Sequence, residues 1–289
     1  MSQAGTQRHF PKPRNSAGRD LKAAITTGVI LIAVALTAIF VVPALWYPLV
    51  ALATAAATWE VTVRLREHGY TIVLWALLLG GQAMVWGSFF AELTGLMAGF
   101  AATVLVTMFS RLFVGGRNAK PENFVRDTAL SIMVTVWIPL FASFAAMLSH
   151  MERDGIAGSA FIITFVMCVV ASDTCGYIAG VMFGKHPLAP AVSPKKSIEG
   201  FVGSLIGGGL VGMLFVLWLL DISWWVGILL GIGLAICATL GDLVESQFKR
   251  ELGIKDMSNL LPGHGGIMDR LDGLLPAAAA TWIVLSLIS

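Results

Sequence analysis

The sequence predicts an all-α, polytopic integral membrane protein with about nine transmembrane helices and a cytoplasmic N-terminus. Three observations predict it. First, 57% of the 289 residues are hydrophobic, 12% are charged, and the mean hydropathy is +0.82. A soluble domain carries about 25% charged residues, so this chain has too little charge to coat a globule, and a disordered chain has the opposite bias. Second, the apolar residues gather in runs near the ~20 residues that a helix needs to cross a ~30 Å hydrocarbon core. No strand alternation is sustained, which excludes a β-barrel. Third, the basic residues fall in alternate connections between those runs.

Residues 1–22 are polar, contain Arg8, Lys12, Arg14, Arg19, Lys22 and two prolines, and read as a disordered cytosolic tail. A cleaved signal peptide is not indicated, because the next apolar run is long enough to span and has no obvious small-residue cleavage site. Candidate spans follow at 23–42, 44–62, 71–87, 89–109, 128–149, 158–182, 200–220, 224–243 and 268–288. Pro43 and Pro48 interrupt the second, and the third is short. The chain thus divides into the tail, N-terminal membrane helices over 23–127, and a C-terminal membrane domain over 128–289. Cys168, Cys175 and Cys237 lie in apolar runs at no metal-ligand spacing and read as buried thiols.

Cytoplasmic loops retain positive charge. With nine spans and the N-terminus inside, the cytoplasmic segments are 1–22, 63–70, 110–127, 183–199 and 244–267. They and the adjoining helix ends hold every Lys and Arg except Arg153. An even number of spans breaks this asymmetry. The expected placement is multi-pass in the plasma (inner) membrane, with the C-terminus outside and the active site facing the cytoplasm. Arg111, Arg117, Lys120 and Arg126 are read as lipid-facing positive charge.

Glycines recur at four-residue spacing: Gly176, Gly180 and Gly184; Gly203 and Gly207; Gly227 and Gly231. Such seams let helix backbones approach closely and are expected to draw the polar helices together. Glu60 and Glu92, near span ends, are read as snorkelling or paired acids. Asp173 lies deep in the sixth span, where an ionisable residue marks function by default.

Residues 241–273, GDLVESQFKRELGIKDMSNLLPGHGGIMDRLDG, carry a density of mixed charge that a connecting loop does not need. Asp269 and Asp272 are three apart and share a helix face. Both fall in the first turn of an apolar span, where a carboxylate is costly unless paired or bound to a cation. Together with Asp242 they suggest a hard-cation site of the kind Mg²⁺ occupies; helix capping by Asp269 with a salt bridge to Arg270 is the plainer alternative. His264, flanked by Gly263, Gly265 and Gly266, lies on a turn that either offers amides to an anion ahead of a helix N-terminus or simply re-enters the membrane. In FGKHPLAPAVSPKKSIEG at 183–200, Ser193, Lys195, Lys196 and Ser197 suit phosphate oxygens or a positive-inside anchor. The spacing is not that of a P-loop.

The segment 246–272 resembles the defining motif of phosphatidate cytidylyltransferases, the CDP-diacylglycerol synthases. Its fixed positions are present: Ser246, Lys249, Arg250, Lys255, Asp256, Ser258, Pro262, His264, Gly265, Gly266, Asp269, Arg270 and Asp272. The 193–200 stretch and Asp173, Gly176 and Tyr177 resemble further family motifs, with Cys175 where glycine is more usual. The resemblance is strong over about 171–289 and weak before that.

It implies transfer of the cytidylyl group of CTP to phosphatidate, giving CDP-diacylglycerol and pyrophosphate for phospholipid biosynthesis. It implies Mg²⁺ on Asp242, Asp269 and Asp272, and allows a second cation such as K⁺. Lys249, Arg250, Lys255, His264, Arg270 and Asp173 are the expected catalytic residues. Ser193, Lys195, Lys196, Ser197 and Ser246 are the expected binders of substrate phosphate. Expected partners are CTP, phosphatidate and the lipid bilayer, without nucleic acid; a homodimer is compatible with the glycine seams and the resemblance. A CTP-dependent polyprenol kinase is the nearest rival and differs in the nucleotide released. A cation-coupled transporter could also use Asp173 and Asp242, but it should show paired broken helices in the two halves, whereas here the polar residues crowd one cytoplasmic side.

Overall fold

A computed structural model describes residues 21–118 and 120–288. The predicted tail therefore lies outside the described residues up to Asp20, and its last two positions begin the first helix. Helix α1 (Leu21–Leu36) ends in a π turn, Thr37–Val41, and the chain breaks at Pro43. After a 3₁₀ turn, Pro43–Leu45, helix α2 runs over Trp46–Glu67. Pro48 does not interrupt α2, because it lies in the first turn, where the backbone N–H has no helical partner anyway.

Helix α3 (Leu74–Leu112) contains 39 residues, or ~58 Å at 1.5 Å per residue, nearly twice the ~30 Å hydrocarbon core. Its backbone leaves helical geometry at Ala91 (φ −141°) and Glu92 (φ 47°). The two halves then fold back on each other: a Cβ on Gly87 would lie 2.7 Å from the Gly95 carbonyl oxygen, and one on Gly99 would lie 3.0 Å from that of Ala83. The element is a helical hairpin, matching the separate expectations for 71–87 and 89–109. Glu92 is exposed at its tip.

Helices α4 (Phe124–Thr135) and α5 (Phe141–Met147) join through a π turn at Val136–Leu140, which contains Pro139, into one passage ending at His150. Then come α6 (Gly158–Phe183), a short antiparallel pair β1 (Pro187–Ala189) and β2 (Ser193–Ser197), α7 (Ile198–Leu219) and α8 (Trp224–Glu251). The chain closes with the single turn α9 (Met268–Leu271) and α10 (Leu274–Ser286). The span expected from 268 thus begins at Leu274, after a break at Asp272–Gly273. Among the described residues, five helical passages are long and apolar enough to cross a membrane: Leu74–Leu112, Phe124–His150, Gly158–Phe183, Ile198–Leu219 and Trp224–Glu251. Two shorter apolar helices, Ile25–Val41 and Leu274–Ser286, accompany them.

The glycine seams pack α7 against α6 on one side and α8 on the other. A Cβ on Gly200 would lie 3.0 Å from the Gly176 carbonyl oxygen, one on Gly203 2.8 Å from that of Cys175, and one on Gly208 2.6 Å from that of Gly231. Backbones meet directly along these lines. Helix α2 is central: Ala57, Val61 and Leu65 are buried in the core with Val134, Ile138 and Phe161. Thr54, Thr58, Glu60 and Thr62 are buried on it as well.

Candidate active site

Helix α7 runs antiparallel to α6 and α8, so the end of α6, the start of α7 and the end of α8 meet at one side of the bundle. Asp242, Glu245, Ser246 and Lys249 are spaced so that all four occupy one face of α8. The Ser246 hydroxyl donates to Asp242 Oδ1 (3.2 Å), and Lys196 Nζ from β2 lies 2.6 Å from Asp242 Oδ2. Arg250 Nε donates to the Val192 carbonyl, so α8 holds the β1–β2 hairpin at a second point. Glu199 secures its base, accepting from the amides of Lys185 (3.1 Å) and His186 (3.2 Å) and pairing with the His186 ring (2.6 Å). Asp173 is exposed on α6, within electrostatic reach of Lys196 and Asp242. The partners that its own span lacks come from β2 and α8.

Lys249 Nζ bridges Glu245 Oε2 (2.5 Å) and Asp269 Oδ1 (2.8 Å). Asp269 Oδ2 accepts from the amides of Met257 (2.9 Å) and Gly266 (2.8 Å). Burial works to raise the Asp269 pKa, but Lys249 and the two amides outweigh it and hold the carboxyl below its usual range. Asp272, also outside the spanning helices, differs: burial and then the charge of Asp242 push its carboxyl up to about 6. Asp269 is therefore turned toward Lys249, while Asp272 lies within electrostatic reach of Asp242. The shared helix face expected for Asp269 and Asp272 is reduced to one turn, with Asp272 as its C-terminal cap.

Among the described residues, no group of three or more His, Cys, Asp and Glu is disposed to hold a metal ion. The local chemistry nevertheless fits Mg²⁺, which is bound through one or two carboxylates with water and substrate phosphates. The Asp242 side chain is 41% exposed, Asp272 lies within its electrostatic reach, and Glu245 adjoins Asp272 while its buried Oε1 meets no protein donor. Asp269 has made three hydrogen bonds out of about four lone-pair sites.

Positive-φ glycines turn the connection between α8 and α9 at Gly253, Gly263 and Gly265. His264 N–H donates to the Leu261 carbonyl (2.9 Å), and the His264 carbonyl accepts from Arg270 Nε (3.1 Å). The His264 ring lies against α1, where a Cβ on Gly28 would be 3.5 Å from its Nε2, and its Nδ1 is buried without a hydrogen-bond partner. The amides after the glycine turn are already occupied. Gly266 N–H serves Asp269, while Ile267 and Met268 N–H donate to Glu60 (3.0 and 2.9 Å). The anion at this turn is thus the protein's own.

Lys195, Lys255 and Arg270 are exposed, and Ser193 is half-buried at the start of β2. Ser197 caps α7, its hydroxyl accepting from Gly200 N–H (3.1 Å). The residues in contact with this segment that the sequence reading did not place at the site are Glu60 and Arg64 of α2 and Glu245 of α8. Glu60 and Arg64 carry a faint signal, two charges at helical four-residue spacing near the end of a largely apolar helix.

Paired carboxylates and a set of cations at one end of an apolar helical bundle define a membrane enzyme that works on phosphate groups. The chain belongs to the cytidylyltransferase family, whose family model matches residues 22–288. It is 48% identical to the phosphatidate cytidylyltransferase of Mycobacterium bovis over 94% of this chain and 90% of that one. It is 46% identical to the enzyme of the same name from Mycobacterium leprae over 97% of this chain and 92% of that one. The phosphatidate cytidylyltransferase of Staphylococcus aureus matches 41% of this chain at 46% identity.

Proposed function

We propose that the protein transfers the cytidylyl group of CTP to phosphatidate, for phospholipid biosynthesis. A phosphatidate oxygen forms a bond to the α-phosphorus of CTP, the bond from that phosphorus to the β-phosphate bridging oxygen breaks, and pyrophosphate leaves. The lipid phosphate is already ionised at neutral pH, so no strong base is required. The barrier lies in bringing two anions together and in the charge that grows on pyrophosphate. The observation that carries this reading is the Asp242–Asp272 carboxylate pair with Lys196 on Asp242, built where the hairpin, α8 and the 246–272 segment meet.

Asp242 and Asp272, with the remaining acceptor site of Asp269, would hold Mg²⁺, which would supply charge neutralisation of the CTP phosphates. Lys195, Lys196, Lys249, Arg250, Lys255 and Arg270 neutralise the two substrates. Ser193 and His264 are the candidates to donate hydrogen bonds to phosphate oxygens, Ser246 would join them on turning its one O–H from Asp242, and Asp173 orients Lys196. Ser197 acts through the capped start of α7.

The chain is taken to cross the plasma membrane nine times, counting the α3 hairpin as two crossings, with the N-terminus and the active site on the cytoplasmic side where the Lys and Arg cluster. A homodimer needs surfaces other than the seams of α6, α7 and α8, which are used within the chain.

The test is to incubate purified protein with CTP, Mg²⁺ and phosphatidate and to identify both products. CDP-diacylglycerol with pyrophosphate is expected. Phosphorylated lipid with free CDP would instead assign a CTP-dependent lipid kinase.

A further inference from the structure

We propose that Glu60 of α2 is a positioning residue for the reaction, clasping the connection between α8 and α9 so that Asp269 and Lys249 are held in register. The proposal rests on the transfer reaction above. Glu60 is 1% exposed and lies about 200 residues before its partners. Oε1 accepts from Ser258 Oγ (2.5 Å) and Ile267 N–H (3.0 Å), and Oε2 accepts from Met268 N–H (2.9 Å).

One helical turn further along, Arg64 Nε donates to the Met257 carbonyl (2.6 Å). The amide of the same residue donates to Asp269 Oδ2, and Asp269 Oδ1 receives Lys249 Nζ. A continuous set of hydrogen bonds therefore joins α2 to Lys249 through Met257 and Asp269. Gly266 records how tightly the parts fit: a Cβ there would lie 2.8 Å from Glu60 Oε2 and 2.9 Å from Asp269 Oδ2.

An interior carboxylate is costly unless its lone pairs are satisfied, and an apolar side chain of similar volume often packs as well or better. Simple packing of α2 therefore does not call for Glu60. Its two oxygens instead fix three donors spread over residues 258–268, a stretch with little regular structure of its own. On this account the N-terminal helices are the rigid wall on which the catalytic connection is mounted.

The test uses the purified full-length chain, with steady-state kinetics on CTP, Mg²⁺ and phosphatidate beside peptide-resolved hydrogen exchange. Glu60→Gln preserves size but sets an amide group among the donors. It should lower kcat tenfold or more with KM for CTP changed less than threefold, and exchange should accelerate over 257–269 while α6, α7 and α8 stay at wild-type rates. Gly266→Ala, which disturbs the same seat from the loop side, should reproduce that pattern. Wild-type kinetics in Glu60→Gln would overturn the proposal. So would unchanged exchange over 257–269, or acceleration spread evenly through α6–α8, which would make Glu60 an ordinary fold residue. If the wild-type chain makes no CDP-diacylglycerol, the reaction reading fails alone, because the exchange pattern still decides whether Glu60 holds the connection.

Discussion

The α6–α7–α8 bundle and the 252–273 connection adjoin one another and are held by opposite means. The bundle closes through glycine, with the Gly208 and Gly231 backbones in contact and Gly200 against Gly176. It has no need of polar side chains at those lines, and small residues suffice because lipid offers no competing hydrophobic drive. The connection buries Leu252, Met257 and Met268 in the core, but its irregular backbone is held by carboxylates: Glu60 and Asp269 between them accept five backbone or hydroxyl donors and Lys249. Substitutions at the glycine seams should therefore act on folding, and substitutions at the connection should act on turnover.

The largest effect is expected at Asp272. Asn keeps its size and one carbonyl oxygen but removes the charge that a cation needs. Asp272→Asn should lower kcat by roughly 10³-fold, about 4 kcal/mol of transition-state stabilisation, while size-exclusion behaviour in detergent stays that of the wild type. A variant that turns over normally would move the metal site to Asp242 with Asp173. Lys196→Ala comes next. Losing a charged hydrogen bond corresponds to about 1.5–3 kcal/mol, so initial rates at limiting CTP or phosphatidate should fall tenfold or more. Unchanged rates would return Lys196 to a positive-inside anchor.

The smallest effect on turnover is expected in the bundle. In Gly208→Ala the new Cβ would lie 2.6 Å from the Gly231 carbonyl oxygen, an overpacking of about 1–3 kcal/mol. Its thermal midpoint should drop while kcat of the folded fraction remains near wild type. A kcat loss without a stability loss would erase the contrast between the two regions.

The bundle was largely legible in the sequence, because helix packing repeats at four-residue spacing and Gly203, Gly207, Gly227 and Gly231 display that period directly. The α3 hairpin was legible as two apolar runs, although the break between them is confined to Ala91 and Glu92. The β1–β2 hairpin over 187–197 was not, since its five- and three-residue strands lie in a segment read as a loop and are fixed by Glu199, Asp242 and Arg250 from outside. At the site, residue types pointed to charge neutralisation, and Asp242 and Lys196 do meet. The geometry of Asp269 was not legible, because its partners Lys249 and Met257 are 20 and 12 residues away. Glu60, read as a snorkelling or paired acid near a span end, is instead buried and hydrogen-bonded. Nothing local to α2 announces that its oxygens serve Ser258, Ile267 and Met268, a contact that only tertiary packing creates.

The central claim is that the Asp242–Asp272 pair carries the metal through which CTP is held. Calorimetric titration of CTP into the wild type, Asp242→Asn and Asp272→Asn, with and without Mg²⁺, tests it most directly. Wild-type affinity should rise at least tenfold when Mg²⁺ is added, and in both variants CTP should bind weakly with little response to the metal. Mg²⁺-dependent CTP binding of wild-type strength in both variants would contradict the account.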